Sequence, residues 1–197
     1  MYTILKKEVL NPTVTRMVID APFVAKRAKA GQFIILRVNE EGERIPLTIA
    51  DSDSEKGTVS IIFQIVGKTT MLLNTLEEGD SLHDFVGPLG KPSEIDGNEK
   101  VCIIGGGVGC AIAYPTAKAF HEAGSDVTTI VGFRNKDLVI LEDEFKECSD
   151  AYYLMSDDGS VGQKGVVTLK LEELIQSGEK FDKVIAIGPI IMMKFVC

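Results

Sequence analysis

VCIIGGGVGCAIA, residues 101–113, is the stretch that decides the fold. Four apolar residues, Val101 to Ile104, run into Gly105, Gly106 and Gly107, then Gly109, and an alanine-rich run follows. Glycines let a backbone adopt positive φ and approach a phosphate closely. A helix starting there offers free N–H groups and a partial positive charge to an anion. In an open α/β sheet the carboxyl end of a strand is where ligands sit. The spacing departs from the dinucleotide fingerprint G-x-G-x-x-G. Counted from Gly105 through Gly107 the last position is Cys110, and counted from Gly107 through Gly109 it is Ile112. No acidic residue closes the next strand, where Phe133 and Arg134 stand. The turn therefore reads in two ways, as a seat for a nucleotide's phosphates or as close packing of strand on helix. Arg134 and Lys136 read either as contacts to a ribose or 2′-phosphate or as surface charges.

On the two sides of this turn the texture of the chain differs. From about residue 99 onward, strands and helices alternate. EKVCIIGGG is a strand, VGCAIAYPTAKAFHEAG a helix, DVTTIVGF a strand, DLVILEDEFKEC a helix, AYYLMSD a strand, VVTLKLEELIQSG a helix and KVIAIG a strand. Such alternation makes a parallel sheet with right-handed crossovers, covered on both faces. Residues 1 to about 95 read instead as short strands: MYTILKKEVL, TVTRMVID, GQFIILRVN, RIPLTIAD and TVSIIFQIVG, separated by Gly, Pro, Asn and Asp turns. TVTRMVID places Val14, Met17 and Ile19 inward, with a slip at Arg16 of the kind a bulge makes. TTMLLNTLEEGD is helical, with Met71, Leu72 and Leu76 on one face and Gly79 as the stop. Even spacing of short strands suggests a closed barrel or a sandwich. The polar segment Pro92–Glu99 marks a boundary. The expected organisation is two-domain, an N-terminal antiparallel β-barrel over 1–95 and a C-terminal α/β Rossmann-like parallel sheet over 96–197.

The 197-residue chain is 45% apolar and carries a formal charge of −8. It is long enough to bury a sizeable core, and its charge argues against a nucleic-acid surface. Cys102, Cys110, Cys148 and Cys197 are widely spaced and form no C-x-x-C, so no zinc or iron–sulfur framework reads from them. Cys102 and Cys110 read as small buried hydrophobes. No apolar signal segment opens the sequence and no stretch is long enough to span a bilayer, which makes a reducing cytoplasm the default location. His83 and His121 read as structural, and Glu142 and Glu144 as a solvated helix face.

Eight segments carry a further signal. AGQFI (Ala30–Ile34), RIPLTI (Arg44–Ile49), VGKTTMLL (Val66–Leu73), GPLG (Gly87–Gly90), IGGGVGCAIAYP (Ile104–Pro115), GFRNKDLVILEDEF (Gly132–Phe145), DDGSVGQKGVVT (Asp157–Thr168) and IGPIIMMK (Ile187–Lys194) follow one another in register. In that order they resemble the ferredoxin–NADP reductase superfamily, over about residue 3 to Cys197. Within it the chain looks most like the small flavoprotein subunit of NADH-dependent ferredoxin:NADP oxidoreductase, a group overlapping sulfide dehydrogenase subunits. It is also similar to the electron-transfer subunit of dihydroorotate dehydrogenase.

The resemblance implies an FAD-binding barrel followed by an NAD(P)-binding domain. It implies an enzyme subunit that passes electrons between NAD(H) or NADP(H) and, through an iron–sulfur carrier, ferredoxin or a partner flavoprotein. Arg44 would hold the flavin diphosphate, since a guanidinium makes forked, charge-assisted hydrogen bonds to phosphate oxygens. Pro46 would stiffen the strand and Thr48 would hydrogen-bond the isoalloxazine near N5. Leu47, Phe63, Gln64, Ile65 and Gly67 belong to the same set. So do Thr69 and Thr70, which precede a helix and can bind phosphate through hydroxyl and N–H groups. The nicotinamide nucleotide would take Gly105, Gly106, Gly107 and Gly109, with Arg134, Asp157, Gly159, Gly188 and Pro189 around it. Where the superfamily often has Cys before Gly-Pro, this chain has Ile187, which supplies packing and no proton. Met192 and Met193 read as core.

Hydride passage from nicotinamide to flavin requires no catalytic acid or base, and no metal ligand is assigned. The family's subunits continue into a cysteine-rich loop that holds a [2Fe-2S] cluster, which takes four thiolates. Those ligands are absent from this chain, Cys197 is not assigned as one, and the apolar ending MMKFVC reads as truncation. NADH is favoured over NADPH by resemblance. The implied partner is a larger catalytic flavoprotein subunit, glutamate-synthase-like or dihydroorotate dehydrogenase-like, with ferredoxin reached indirectly and neither nucleic acid nor membrane involved. A reading from a different class stays open, a nucleotide-binding assembly module without turnover.

Overall fold

Alternating burial builds the N-terminal half of the computed structural model, which describes residues 2–196; the expectation for Cys197 lies outside the described residues. The elements are β1 (Tyr2–Asn11), β2 (Val14–Asp20), the one-turn helix α1 (Pro22–Ala25), β3 (Phe33–Arg37), β4 (Ile45–Asp53), β5 (Thr58–Gln64), α2 (Lys68–Asn74), β6 (Ser81–Leu82) and β7 (Asp84–Leu89). The strands form one seven-stranded sheet in the order β6-β1-β2-β5-β4-β3-β7. Every pairing in it is antiparallel. One strand face turns inward at every second residue. Ile4, Met17, Ile34, Leu36, Ile61, Leu82 and Phe85 from across the sheet meet in a single buried cluster, so the sheet curls into a near-closed barrel.

Two expectations for this half are corrected. β2 pairs with β5 in unbroken register from Val14 to Asp20, so there is no bulge at Arg16; in the pairing of β2 with β1 the irregularities lie in β1, between Ile4 and Lys6 and between Val9 and Asn11. The pattern in β2 slips because the inward residue is the polar Thr15, fully buried and satisfied by a 2.7 Å hydrogen bond from its hydroxyl to Asn74 Oδ1. In α2 the buried anchor is Leu73, with Leu72 and Leu76 packed beside it, while Met71 is exposed. These three share a face by the i, i+1, i+4 arrangement of a helix, and Met71 falls on the outside of it.

The second half is built from β8 (Lys100–Gly106), a 3₁₀ turn (Gly107–Gly109), α3 (Cys110–Glu122), β9 (Asp126–Phe133), α4 (Glu142–Glu147), β10 (Ala151–Ser156), β11 (Gln163–Lys164), α5 (Val167–Gln176), β12 (Lys183–Ile187) and α6 (Ile190–Val196). Its five-stranded sheet runs β11-β10-β9-β8-β12, and all four pairings are parallel. One face is covered by α3 and α4, where Tyr114 meets Phe145 edge to face at 5.7 Å. On the other face Val167, Leu171, Leu174, Met192 and Val196 of α5 and α6 pack on Cys102, Ile104, Ile130 and Met155. The helix expected over DLVILEDEFKEC shrinks to α4. Ile140 and Leu141 are buried, and Leu141 takes a left-handed conformation (φ 59°), so the chain turns there before the helix starts.

The chain divides into two compact units between Ser93 and Glu94. No helix among the described residues is long and apolar enough to cross a membrane.

Candidate functional site

In the barrel unit, antiparallel pairing sets which residues share an end. β3 ends, β4 begins, β5 ends and β7 begins at the same end of the sheet. Arg44, immediately before β4, is therefore at the end where β5 leads through Ile65 and Gly67 into α2. Arg44, Pro46 and Thr48 alternate with Ile45 and Leu47, which pack on the core; the first three thus face outward. The Arg44 side chain is 60% exposed and one amino group donates to Asp84 Oδ2 at 2.9 Å. The rest of its donor fork has no partner among the described residues. Thr48 pairs with Phe33 across the sheet, and its hydroxyl has no hydrogen-bond partner among the described residues.

Not every residue of the expected set can touch a ligand with its side chain. Phe63 is 2% exposed, inside the barrel core, and Ile65 packs against the same core. Only their backbones are available. Gln64, between them, is exposed. Thr70 is committed locally: its Oγ accepts from the N–H groups of Val66 (3.1 Å) and Gly67 (3.0 Å) and donates to Gly67 O (3.0 Å). It closes the first turn of α2, whose leading N–H groups, at Lys68 and Thr69, have no acceptor within the helix. Thr70→Ala is expected to cost about 1 kcal/mol of stability through this lost cap, read as a lower denaturation midpoint, whereas Thr69→Val is expected to leave the midpoint unchanged.

In the parallel-sheet unit the candidates gather at the carboxyl edge. β8 sits between β9 and β12, so the order of strand addition reverses beside it, the topological switch point where open sheets bind ligands. The four glycines of the turn divide their roles. A methyl on Gly105 would lie 2.7 Å from Cys110 Sγ, one on Gly106 2.5 Å from Met192 Sδ, and one on Gly109 2.6 Å from Ile187 O. These three glycines are buried and exist for packing. Gly107 has φ +56° and faces open space, so the accessible part of the turn is Gly107 and Val108. Gly188 packs against Gly106 Cα and Pro189 follows it, exposed.

Around this turn, Arg134 and Asp157 stand exposed just past β9 and β10. The two loops are tied together. The N–H of Asp157 donates to Phe133 O at 3.1 Å and that of Asp158 to Arg134 O at 3.3 Å, while Ser160 Oγ accepts from the Lys136 N–H at 2.8 Å. Ser160 in turn hydrogen-bonds Asp158, holding that carboxyl below its usual range. Gly159 makes the turn at φ +77°. The sheet edge thus collects Gly107, Arg134, Asp157 and Pro189, while Gly105, Gly106 and Gly109 lie beneath it.

The iron–sulfur group of the expected full-length family does not fit this chain's described residues. Cys102, Cys110 and Cys148 are buried separately as free thiols, and burial pushes Cys102 up to about 12 and Cys148 up to about 11, with Cys110 also raised. Among the described residues no three His, Cys, Asp or Glu side chains are grouped to hold a metal ion.

Sequence reasoning passed over Arg37 and Asp84. Neither belongs to a motif, and only strand register brings them beside Arg44. His83, read as structural, stands next to them, its Nδ1 3.6 Å from Asp84 Oδ1.

Comparison with known proteins gives this geometry a class. Residues 2–93 match the family model described as an oxidoreductase FAD-binding domain. A solved structure of NADH-dependent reduced ferredoxin-NADP oxidoreductase superposes with a TM-score of 0.90 at 48% identity, over 99% of this chain and 70% of that one. The cytochrome b5 reductase domain of Ulva prolifera nitrate reductase shares the fold (TM-score 0.73) at 18% identity, over 100% of this chain and 89% of that one. The fold is that of a ferredoxin-reductase-like oxidoreductase chain.

Two further relatives narrow the class. A Thermotoga maritima protein described as a dihydroorotate dehydrogenase B (NAD(+)) electron transfer subunit homolog is 50% identical over 98% of this chain and 67% of its own length. The Streptococcus pneumoniae dihydroorotate dehydrogenase B (NAD(+)) electron transfer subunit is 34% identical over 98% of this chain and 75% of its own. The chain belongs to the family of these electron-transfer subunits and their homologues.

Proposed function

We propose that this chain is an FAD-dependent electron-transfer subunit that takes electrons from a reduced nicotinamide nucleotide and delivers them to a larger flavoprotein partner. The observation that carries the reading is Arg44. It is an exposed guanidinium with an unused donor edge, set outside the strand whose next outward residues are Pro46 and Thr48. It shares one end of the barrel with the N–H groups that open α2. Such an edge suits a diphosphate. Thr48 has a free hydroxyl for a heterocycle edge, and Pro46 has no N–H to compete with it. In the second unit, Gly107 and Val108 supply an open turn at the switch point for a second diphosphate, and Asp157 is placed to accept from ribose hydroxyls. When bound, nicotinamide and flavin supply the hydride and electron chemistry, and the protein supplies orientation.

The NADH-dependent ferredoxin-NADP oxidoreductase relative, at 48% identity, favours ferredoxin:NADP chemistry, for which the sequence resemblance implies a glutamate-synthase-like partner. The 34% identical dihydroorotate dehydrogenase subunit supports a second reading, a dihydroorotate-oxidising partner. Under either reading the chain would work in the cytoplasm and take NADH in preference to NADPH. The test is spectroscopic. Protein loaded with FAD and kept anaerobic should bleach when NADH is added, and bleach more slowly with NADPH at equal concentration. Flavin that binds and never bleaches would reduce the chain to a nucleotide-binding module, and failure to take up FAD would remove the reading altogether.

A further inference from the structure

Strand register sets Arg44, Arg37 and Asp84 in one row across the barrel. Leu36 pairs with Ile45, which brings Arg37 opposite Arg44; Arg37 pairs directly with Asp84 on the other side. Leu36 and Phe85 are buried, so their neighbours Arg37 and Asp84 project to the outer face with Arg44. A single carboxylate oxygen, Asp84 Oδ2, lies 2.8 Å from Arg37 Nε and 2.9 Å from an Arg44 amino nitrogen. Arg37 is used up by the protein itself. Its first amino group donates to Glu40 O at 3.0 Å and its second lies 3.3 Å from His83 Nε2. Its Nε forms an ion pair with Asp84 whose N–H is not aimed straight at the oxygen. Arg44 differs in having one of its groups held while the rest of the fork faces outward.

We infer that Asp84 is a positioning residue for the flavin site: anchored by Arg37, it holds one amino group of Arg44 and turns the remaining donors toward the diphosphate. The inference rests on the assignment of Arg44 to that diphosphate. Two arginines side by side would repel and splay without a carboxylate between them, and a long exposed arginine loses rotamer freedom on binding phosphate. Asp84 removes both costs beforehand, so that the fork is preorganised. Burial by itself would raise the Asp84 carboxyl, but the close contact and charge of Arg37, then the charges of His83 and Arg44, outweigh it and hold it below its usual range. It stays an anion at neutral pH.

The test measures the affinity of the flavin-free protein for FAD and for riboflavin, which lacks the diphosphate, by fluorescence titration. Asp84→Asn is expected to weaken FAD about tenfold, the worth of one charge-assisted hydrogen bond, while riboflavin affinity stays unchanged. In an Arg44→Ala background Asp84→Asn should add nothing, because there is no longer a guanidinium to orient. Arg44→Lys, which keeps the charge and loses the fork, should weaken FAD nearly as much as Arg44→Ala. This last arm also decides the matter if Asp84→Asn does not fold.

Weakening of FAD and riboflavin alike by Asp84→Asn, tighter FAD binding by that variant, or an Arg44→Lys protein that binds FAD like the parent would each overturn the positioning role. If Arg44→Ala itself leaves FAD affinity unchanged, the flavin assignment of Arg44 fails instead, whatever Asp84 does.

Discussion

Leu73→Ala is expected to destabilise the barrel unit by about 2–5 kcal/mol, the range for emptying a buried leucine site, and to weaken FAD binding with it. Leu73 is fully buried in the barrel core, and it is the fixed point of α2. A seven-residue helix does not persist by its own hydrogen bonds, so α2 stands only because Leu73, flanked by Leu72 and Leu76, is inserted into the barrel. Its other ties are polar and few: Asn74 receives the Thr15 hydroxyl and, through its carbonyl, Lys7 Nζ at 2.7 Å. Emptying the Leu73 site leaves a cavity that the surrounding strands cannot close, and α2 shifts with its leading N–H groups. Chemical denaturation measures the first effect and FAD titration the second. Met71→Ala, on the exposed side of the same helix, should change stability by less than about 0.5 kcal/mol. Equal effects from the two substitutions would show that α2 is not seated as described.

Gly109→Ala is expected to cost the parallel-sheet unit about 1–3 kcal/mol and to abolish binding of the nicotinamide nucleotide at ordinary concentrations. The added methyl would sit 2.6 Å from Ile187 O and 2.9 Å from Gly188 Cα. Both are main-chain atoms at the end of β12, so no side chain can rotate to make room. Either α3 or β12 must move, and the switch point opens between them. Gly107→Ala is the contrast. The methyl meets nothing within contact distance, and only the positive φ is penalised, by about 1 kcal/mol. Thermal unfolding of the two variants separates packing from backbone strain. A Gly109→Ala protein as stable as Gly107→Ala would mean the helix and strand are not in close contact there.

This division also bears on what the glycine turn can say in advance. Phosphate seat and close packing were both open readings of Gly105 to Gly109. The structure assigns packing to Gly105, Gly106 and Gly109 and leaves Gly107 as the open position. The one-dimensional pattern could not separate them, since what each glycine faces, Cys110, Met192 or the end of β12, lies five to more than eighty residues away. The same limit explains β2. Thr15 interrupts an apolar alternation and looks like a slip, yet it is an ordinary inward residue with a partner supplied by α2.

The order of the longer strands and helices, and the change from period-two to alternating texture near residue 95, were legible from local pattern, because burial on one face imposes a period on the residues themselves; the short α1, β6 and β11, and β7 with Asp84, were not. The exposed arginine before β4 and the Asp-Gly turn after β10 were equally visible, as polar residues at the ends of apolar runs. What the tertiary structure alone decided was adjacency. Arg44, Arg37 and Asp84 are separated by seven and forty-seven residues in the chain and meet because antiparallel register places three strand ends side by side. Register depends on pairing energies summed over the whole sheet, and that sum is written at no single position in the sequence.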